Sequence, residues 1–339
     1  MNAQHAEAEF APPPLIGSSP CIQEMLERLP HVARAQRTTL ISGPTGSGKD
    51  VVARCLHSFS PRRSGPYVTV HCAALPETLV EAEMFGHSRG AFTGATQPRG
   101  GLVRSARSGT LFLDEIDSLP TSAQAKLLRF LETGEYRAVG SDHLEYSDAW
   151  VIAATNQNLA DRVRDGAFRA DLMFRLAVMQ VPVPSLRQRS GDIVSLAEHF
   201  LHQIDAGKSF DAQAVQAMLS YDWPGNVREL KHRVESAALL TQSPTIDLRA
   251  LHFDEAARAQ SAAADFDPLE EMPAATPIPE QLEGQLWGLI DGGLTLMQAI
   301  GECERLMVRA ALRAENNNRT RAAGRLGIHV RTIFKKLRP

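Results

Sequence analysis

TTLISGPTGSGKD, Thr38 to Asp50, decides the fold. A short apolar run stops at Ser42, and a turn of Gly43, Pro44, Thr45, Gly46, Ser47, Gly48, Lys49 and Asp50 leads into a helical pattern that continues to Phe59. This is the strand-to-helix setting of a phosphate-binding loop. Its glycines let backbone N–H groups converge on phosphate oxygens, the following helix N-terminus adds positive potential, and Lys49 can reach the β- and γ-phosphates. A glycine-rich turn that binds nothing is the plainer reading, and the full GxxxxGK spacing between a strand and a helix argues against it. The hydroxyl residue that usually follows the lysine and binds Mg²⁺ is replaced by Asp50, so metal coordination must rest on other groups.

Working outward, four more short apolar runs, YVTVHC, TLFLDE, WVIAAT and MQVPVP, alternate with helical stretches up to about residue 184. Such a rhythm predicts an α/β fold, a mostly parallel sheet with helices on both faces. Asp50 to Phe59 and Ser122 to Glu132 are among the expected helices, the second behind a Pro120-Thr121 start signal. GTLFLDEID ends a buried strand in two acids, which suits Mg²⁺ binding by Asp114 and polarisation of water by Glu115. WVIAATN places Thr155 and Asn156 at the next strand end, where a polar side chain can sense a γ-phosphate; taken alone, the pair reads as ordinary strand-end polarity. FRADLMFR offers Arg169 and Arg175, and WPGNVREL offers Arg228 at a helix start. Arginines are most often surface residues, but beside an ATP site an arginine from the next subunit can stabilise transition-state charge, which points to a ring.

Between the second and third strands lies GAFTGA, residues Gly90, Ala91, Phe92, Thr93, Gly94 and Ala95. On its own it reads as a flexible surface loop. Next to an ATP site it becomes a candidate moving contact. A helical region spans roughly 191–251, and the Ala-, Pro- and acid-rich stretch after it reads as a linker. The 339 residues carry a formal charge of -3, which hides a basic end: from Arg305 onward Glu315 is the only acid. That end reads as a helix, a polar break and two short helices hinged at Gly327, a pattern suited to a helix-turn-helix. A solvated basic hairpin or an oligomerisation unit is the alternative. Cys21, Cys55, Cys72 and Cys303 form neither a disulfide framework nor a zinc spacing, and no run crosses a bilayer. A cytoplasmic protein with no membrane partner is expected.

GPTGSGKD, MFGHSRGAFTGA, GTLFLDEID, VIAATN, FRADLMFRL and WPGNVREL, in this order, resemble the AAA+ domain of bacterial enhancer-binding proteins, the NtrC-type activators of sigma-54 RNA polymerase. The likeness runs from about Leu15 to Leu251 and resumes in the last module, which resembles a Fis-type domain. GAFTGA is its most specific element. The resemblance implies that Lys49 is the Walker A lysine, Asp114 and Glu115 the Walker B pair, Asn156 part of sensor I, Arg169 and Arg175 arginine fingers, and Arg228 sensor II. Family members usually have an acid after the lysine, so Asp50 is a conservative variant. Phe92 and Thr93 would touch sigma-54, Tyr136 to Tyr146 resembles a second loop that moves with the first, and Arg319, Thr320, His329, Arg331, Thr332, Lys335 and Lys336 would meet DNA.

The implied function is a hexameric ATPase, tethered to enhancer DNA, that uses ATP and Mg²⁺ to remodel sigma-54 RNA polymerase holoenzyme for open-complex formation. A homo-hexamer is expected, with a mixed ring containing a related protein left open. The expected organisation is a short disordered N-terminus at 1–14, an α/β ATPase subdomain at 15–190, a helical lid at 191–253, a linker at 254–285 and the helix-turn-helix domain at 286–339. The short stretch before Leu15 leaves no room for a sensory domain, so control is expected from expression level or a separate regulatory protein. One departure is His71, where the family commonly has an Asn that restrains the catalytic glutamate. A histidine there can hydrogen-bond a carboxylate or make no such contact. Two other readings remain: an AAA+ ring with a different protein client, against which GAFTGA argues, and a DNA-binding regulator without ATP turnover, against which the intact ATP-site residues argue.

Overall fold

The computed structural model describes residues 14–92, 95–253, 307–315 and Arg325. The chain divides into two units, 1–257 and 258–339. In the first, five strands form one sheet: β1 (Thr39–Ser42), β2 (Tyr67–His71), β3 (Thr110–Asp114), β4 (Trp150–Thr155) and β5 (Met179–Pro182). Their order is β2-β3-β4-β1-β5, and every pairing is parallel. The register aligns Ser42 with Thr155 and Pro182, and His71 with Asp114. All the chemistry-bearing strand ends therefore emerge along one edge of the sheet, where open α/β sheets bind ligands.

The alternation of side chains along each strand divides the core. Leu111, Leu113, Val151 and Ala153 face one way and pack with Phe85, Leu127, Phe130 and Leu172. Phe112, Ile152 and Ala154 face the other and pack with Ile22, Leu29, Val52 and Leu56. Burying each large apolar side chain stabilises the fold by about 1.5–3 kcal/mol, so each strand is held from both sides. The first face is covered by helix α3 (Thr121–Thr133) and the second by α1 (Pro20–Ala35) and α2 (Lys49–Phe59). Helix α3 is one residue longer at each end than its sequence pattern indicates. It stops at Gly134, whose φ of 75° breaks the helix while its N–H donates to the Phe130 carbonyl at 2.8 Å. Helix α4 (Ala170–Leu176) packs beside α3.

A 3-10 turn, Arg187–Asp192, leads into the helical lid: α5 (Ile193–Ile204), α6 (Ala212–Ser220) and α7 (Asn226–Leu240). The lid has its own core around Leu196, Leu201, Met218, Trp223, Leu230 and Val234. Asp211 caps α6 by accepting from the Ala214 amide at 2.6 Å. Arg233 closes the lid by donating to Glu229 and to the Leu251 and His252 carbonyls. In the second unit, residues 307–314 are helical and Arg325 pairs with Glu315 at 2.8 Å. Among the described residues, Cys21 and Cys72 are free thiols. No helix among the described residues is long and apolar enough to cross a membrane.

Candidate functional site

The loop from Gly43 to Gly48 leaves β1 and enters α2 at Lys49. Gly43, Gly46 and Gly48 have φ of 159°, 76° and 99°. At Gly46 and Gly43 a Cβ would also strike backbone, at 2.2 Å from the Gly225 carbonyl oxygen and 2.5 Å from that of Val183. The glycines at these two places are thus required by close packing of the chain around the loop. Lys49 Nζ donates to the Gly43 and Pro44 carbonyls at 2.9 and 3.1 Å, so its ammonium lies across the loop mouth. Burial lowers its pKa, with Asp114 opposing that shift, Arg228 adding to it, and Glu115 and Asp117 opposing it in turn. Asp114, Arg228, Glu115 and Asp117 are thus all near enough to act on the Lys49 charge. Ser47 Oγ is buried without a hydrogen-bond partner, an orphaned hydroxyl that suits a loop built to enclose oxygen ligands.

Asp114 ends β3 and accepts from the Glu115 amide at 3.1 Å. Glu115 itself sits in the left-handed region, φ 53° and ψ 50°, which is uncommon for a residue with a Cβ and recurs where function holds the backbone under strain. Between β3 and β1 lies β4, and Asn156, the residue that follows it, donates to Thr45 Oγ1 at 2.9 Å. Thr155, expected beside it as a sensing residue, is buried and instead donates to Asp117 Oδ1 at 2.6 Å. Its hydroxyl fastens the turn after Glu115 to β4. His71 does meet a carboxylate: its Nδ1 lies 3.3 Å from Asp114 Oδ2. The contact is with Asp114, whereas the residue expected to be restrained was Glu115.

The lid grips the loop directly. The Arg228 amide donates to the Gly46 carbonyl at 3.2 Å, and Asn226 Nδ2 donates to the Thr45 carbonyl at 3.0 Å. Three partners were missed by sequence reasoning. Asn226 is one. The others are Arg189, which donates to the Ser47 carbonyl at 2.8 Å, and Asp192, which accepts from the Ser18 and Ser19 amides at 2.7 and 2.8 Å and from Ser19 Oγ at 2.5 Å. Arg189 is almost wholly buried, and that burial lowers its pKa against the attraction of Asp192.

Arg169 and Arg175 are not brought to the phosphate loop of their own chain. Arg169 forks onto Asp171, Nε at 3.0 Å and NH2 at 2.7 Å, and that exposed pair raises the arginine pKa and lowers the aspartate's. Arg175 donates to the Leu131 carbonyl at 2.8 and 3.1 Å and lines a cavity of about 520 Å³ with Thr38, Arg62 and Trp150, beside the starts of β1 and β4. Beside Arg175, Phe174 is 72% exposed, so this helix presents an apolar and a cationic side chain together.

GAFTGA rises from an antiparallel pairing of Gly86–His87 with Arg99–Gly100. Gly90, Ala91, Phe92 and Ala95 are described, and Thr93 and Gly94 lie outside the described residues. Gly90 donates to the Ala95 carbonyl at 2.8 Å, which closes the loop, and Phe92 rests edge-on against His87, 37% exposed. A second loop, between the paired strands Glu135–Tyr136 and Glu145–Tyr146, is zipped to the first. Val139 donates to Gly86, Ser88 donates back to Val139 at 3.0 Å, and Ser88 Oγ donates to Gly140 at 2.7 Å. The candidate DNA contacts Arg319, Thr320, His329, Arg331, Thr332, Lys335 and Lys336 lie outside the described residues.

A phosphate loop, an acid pair two strands away, a polar strand end between them and a lid bonded to the loop together make an AAA+ ATPase. Comparison with known proteins then places it more closely. Residues 15–182 match the sigma-54 interaction domain, 187–267 the AAA+ ATPase lid domain and 299–338 the Fis family of bacterial regulatory proteins. Over 328 residues the chain is 41% identical to the transcriptional regulatory protein ZraR of Salmonella typhi, covering 95% of this chain and 68% of that protein. It is 42% identical to the nitric oxide reductase transcription regulator NorR1 of Cupriavidus necator, covering 95% and 62%. It is 39% identical to the DNA-binding transcriptional regulator NtrC of Azospirillum brasilense, covering 96% and 69%. The chain thus spans about two thirds of the length of these relatives. The crystal structure of NtrX from Brucella abortus in complex with ATP superposes with a TM-score of 0.66 at 29% identity, over 96% of this chain and 68% of that one. The chain belongs to the family of sigma-54-dependent transcriptional activators, with an ATP-binding AAA+ ATPase domain and a Fis-type DNA-binding region.

Proposed function

We propose that this chain assembles into a homo-hexameric ring, tethered to enhancer DNA, that couples ATP hydrolysis at subunit interfaces to remodelling of sigma-54 RNA polymerase holoenzyme. The observation that carries the reading is that the ATP site and the exposed Phe92 loop are built on the same α/β unit, with the loop zipped to a second one. In this reading Gly43 to Asp50 cradle the phosphates and Lys49 neutralises the β- and γ-oxygens. Asp114 would hold Mg²⁺, which supplies charge neutralisation at the phosphates. Its carboxylate at the open end of β3 and the orphaned Ser47 hydroxyl suit such a group, since Mg²⁺ typically takes one or two carboxylates and phosphate oxygens. Glu115 polarises the attacking water, Asn156 senses the γ-phosphate from Thr45, and Arg228 carries the lid's response. Arg169 and Arg175, turned away from their own loop, serve the neighbouring subunit.

Phe92 and Thr93 make the sigma-54 contact, with the glycines of GAFTGA letting that tip rise and fold away. Arg319, Thr320, His329, Arg331, Thr332, Lys335 and Lys336 hold DNA, mostly through phosphates. A cytoplasmic location follows from partners that work on chromosomal DNA. An open-complex assay with purified sigma-54 holoenzyme tests the reading. Opening is expected with ATP, none with a non-hydrolysable analogue, and none with Thr93→Ala despite retained ATPase activity. Wild-type protein that hydrolyses ATP yet never supports opening would sink it.

A further inference from the structure

The lid is bonded to the phosphate loop by a residue that neither the acids nor the arginines call attention to. Asn226 is 3% exposed and begins α7 with φ 53°. Its side-chain Nδ2 donates to the Thr45 carbonyl at 3.0 Å and to the Pro224 carbonyl at 3.2 Å, while its Oδ1 accepts from the Leu186 amide at 2.8 Å. Two carbonyls on one side and an N–H on the other fix which way the amide points. Leu186 lies in the connection between β5 and the lid, so one buried side chain joins three pieces: phosphate loop, connection and lid.

The peptide geometry gives this joint a chemical consequence. In a trans peptide the C=O of one residue and the N–H of the next point in opposite directions. Fixing the Thr45 carbonyl against Asn226 therefore aims the Gly46 N–H away from the lid. The Arg189 bond to the Ser47 carbonyl does the same for the Gly48 N–H. Across the loop, Thr45 Oγ1 accepts from Asn156 at 2.9 Å. Thr45 is thus held by its carbonyl to the lid and by its hydroxyl to the strand end that reads the nucleotide.

We propose that Asn226 is a positioning residue for nucleotide binding, which sets the orientation of the phosphate loop's Thr45–Gly46 peptide and makes the lid and its connection respond to what the loop holds. The role rests on the ATP site described above. Few side chains could replace it. An amide supplies donor and acceptor on a short stem, and Asn tolerates the left-handed backbone better than other residues with a Cβ.

Three variants separate this role from mere turn geometry. Asn226→Gly keeps the backbone conformation and removes all three side-chain bonds, Asn226→Asp keeps the shape and removes the donor, and Lys49→Ala serves as the nucleotide-site control. Binding of a non-hydrolysable ATP analogue would be measured by calorimetry, and KM and kcat by phosphate release. Hydrogen exchange would be followed over residues 183–190 and 224–230, with melting temperature as the check on folding. Expected for both Asn226 variants is analogue binding about tenfold weaker, the cost of one buried hydrogen bond. KM should rise with it while kcat changes less than threefold, and the analogue should no longer slow exchange at the Leu186 and Arg228 amides. Wild-type affinity and exchange response in Asn226→Gly would overturn the proposal, because the turn alone would then suffice. So would weakened binding with an intact exchange response, because the lid would then be responding without Asn226. If the wild type binds the analogue but turns over no ATP, the hydrolytic reading fails while the binding and exchange measurements still decide the role of Asn226.

Discussion

Replacing Gly46 by Ala should open the lid. The added Cβ would stand 2.2 Å from the Gly225 carbonyl oxygen and 3.0 Å from Arg228 Cβ, on a residue whose φ is 76°. Reaching ordinary van der Waals separation requires the lid turn to retreat by about 1 Å. That retreat breaks the Arg228 bond to Gly46 and the Asn226 bond to Thr45, now at 3.2 and 3.0 Å. The left-handed backbone costs an alanine about 1–2 kcal/mol, and each lost hydrogen bond about 0.5–1.5 kcal/mol. Together these amount to about 2–5 kcal/mol. Because the clash is relieved by moving Arg228 away from the site, the hydrogen-bond part of that penalty, about 1–3 kcal/mol, should appear in nucleotide affinity as a loss of about fivefold or more, and the backbone part in stability. Calorimetric titration with a non-hydrolysable ATP analogue measures it. Gly166→Ala is the control, since Gly166 has φ 71° with nothing within 4 Å of an added Cβ; it should show backbone strain in its melting temperature and unchanged affinity. An affinity for Gly46→Ala within threefold of wild type would refute the reasoning.

Three further outcomes are expected. Glu115→Gln should bind ATP within a few-fold of wild type and hydrolyse it about 10²–10⁴ times more slowly in a phosphate-release assay, the usual contribution of a positioned general base. Gly140→Ala places a Cβ 2.8 Å from both Ala91 Cβ and Ser88 Oγ at φ 74°, prying the two loops apart; ATPase activity should persist while promoter opening is lost, and normal opening would count against coupling of the loops. Burial holds the pKa of His57 below 6.5, opposed by a backbone hydrogen bond with Arg63, so the folded state prefers the neutral ring. The unfolded chain then binds the proton more readily. His57 contributes its full stability above pH 6.5 and loses it as the pH falls through its folded pKa. Urea unfolding should show that loss in the wild type and a flatter profile over the same window in His57→Gln.

The strands and the phosphate loop were readable because their signals are local: alternation along TLFLD and WVIAAT, and glycines at fixed spacing ahead of Lys49. The order of the strands was not readable, since nothing within TLFLD says that it lies two strands from β1. The same limit hid the groups that hold the site together. Arg189 acts on Ser47 across 142 residues, Asp192 on Ser19 across 173, and Asn226 on Thr45 across 181. Arg189 lies in RQRSGD, which as sequence looks like an exposed turn, and only burial under the phosphate loop gives it a task. Thr155 shows the opposite failure. A polar residue at a strand end looked available for ligand, and the fold instead spends its hydroxyl on the buried Asp117. His71 was legible as a carboxylate partner, but which acid it meets depends on the register that sets it level with Asp114.

Asp192 holds Ser18 and Ser19 where the 3-10 turn meets the first lid helix. This makes the polypeptide a clasp whose two halves are far apart in sequence and touching in space. Arg189, three residues before Asp192, donates to the Ser47 carbonyl, so the same short turn holds both the entry to α1 and the phosphate loop. A substitution at Asp192 or Arg189 would therefore reach the start of α1, the turn into the lid and the backbone of the nucleotide site together.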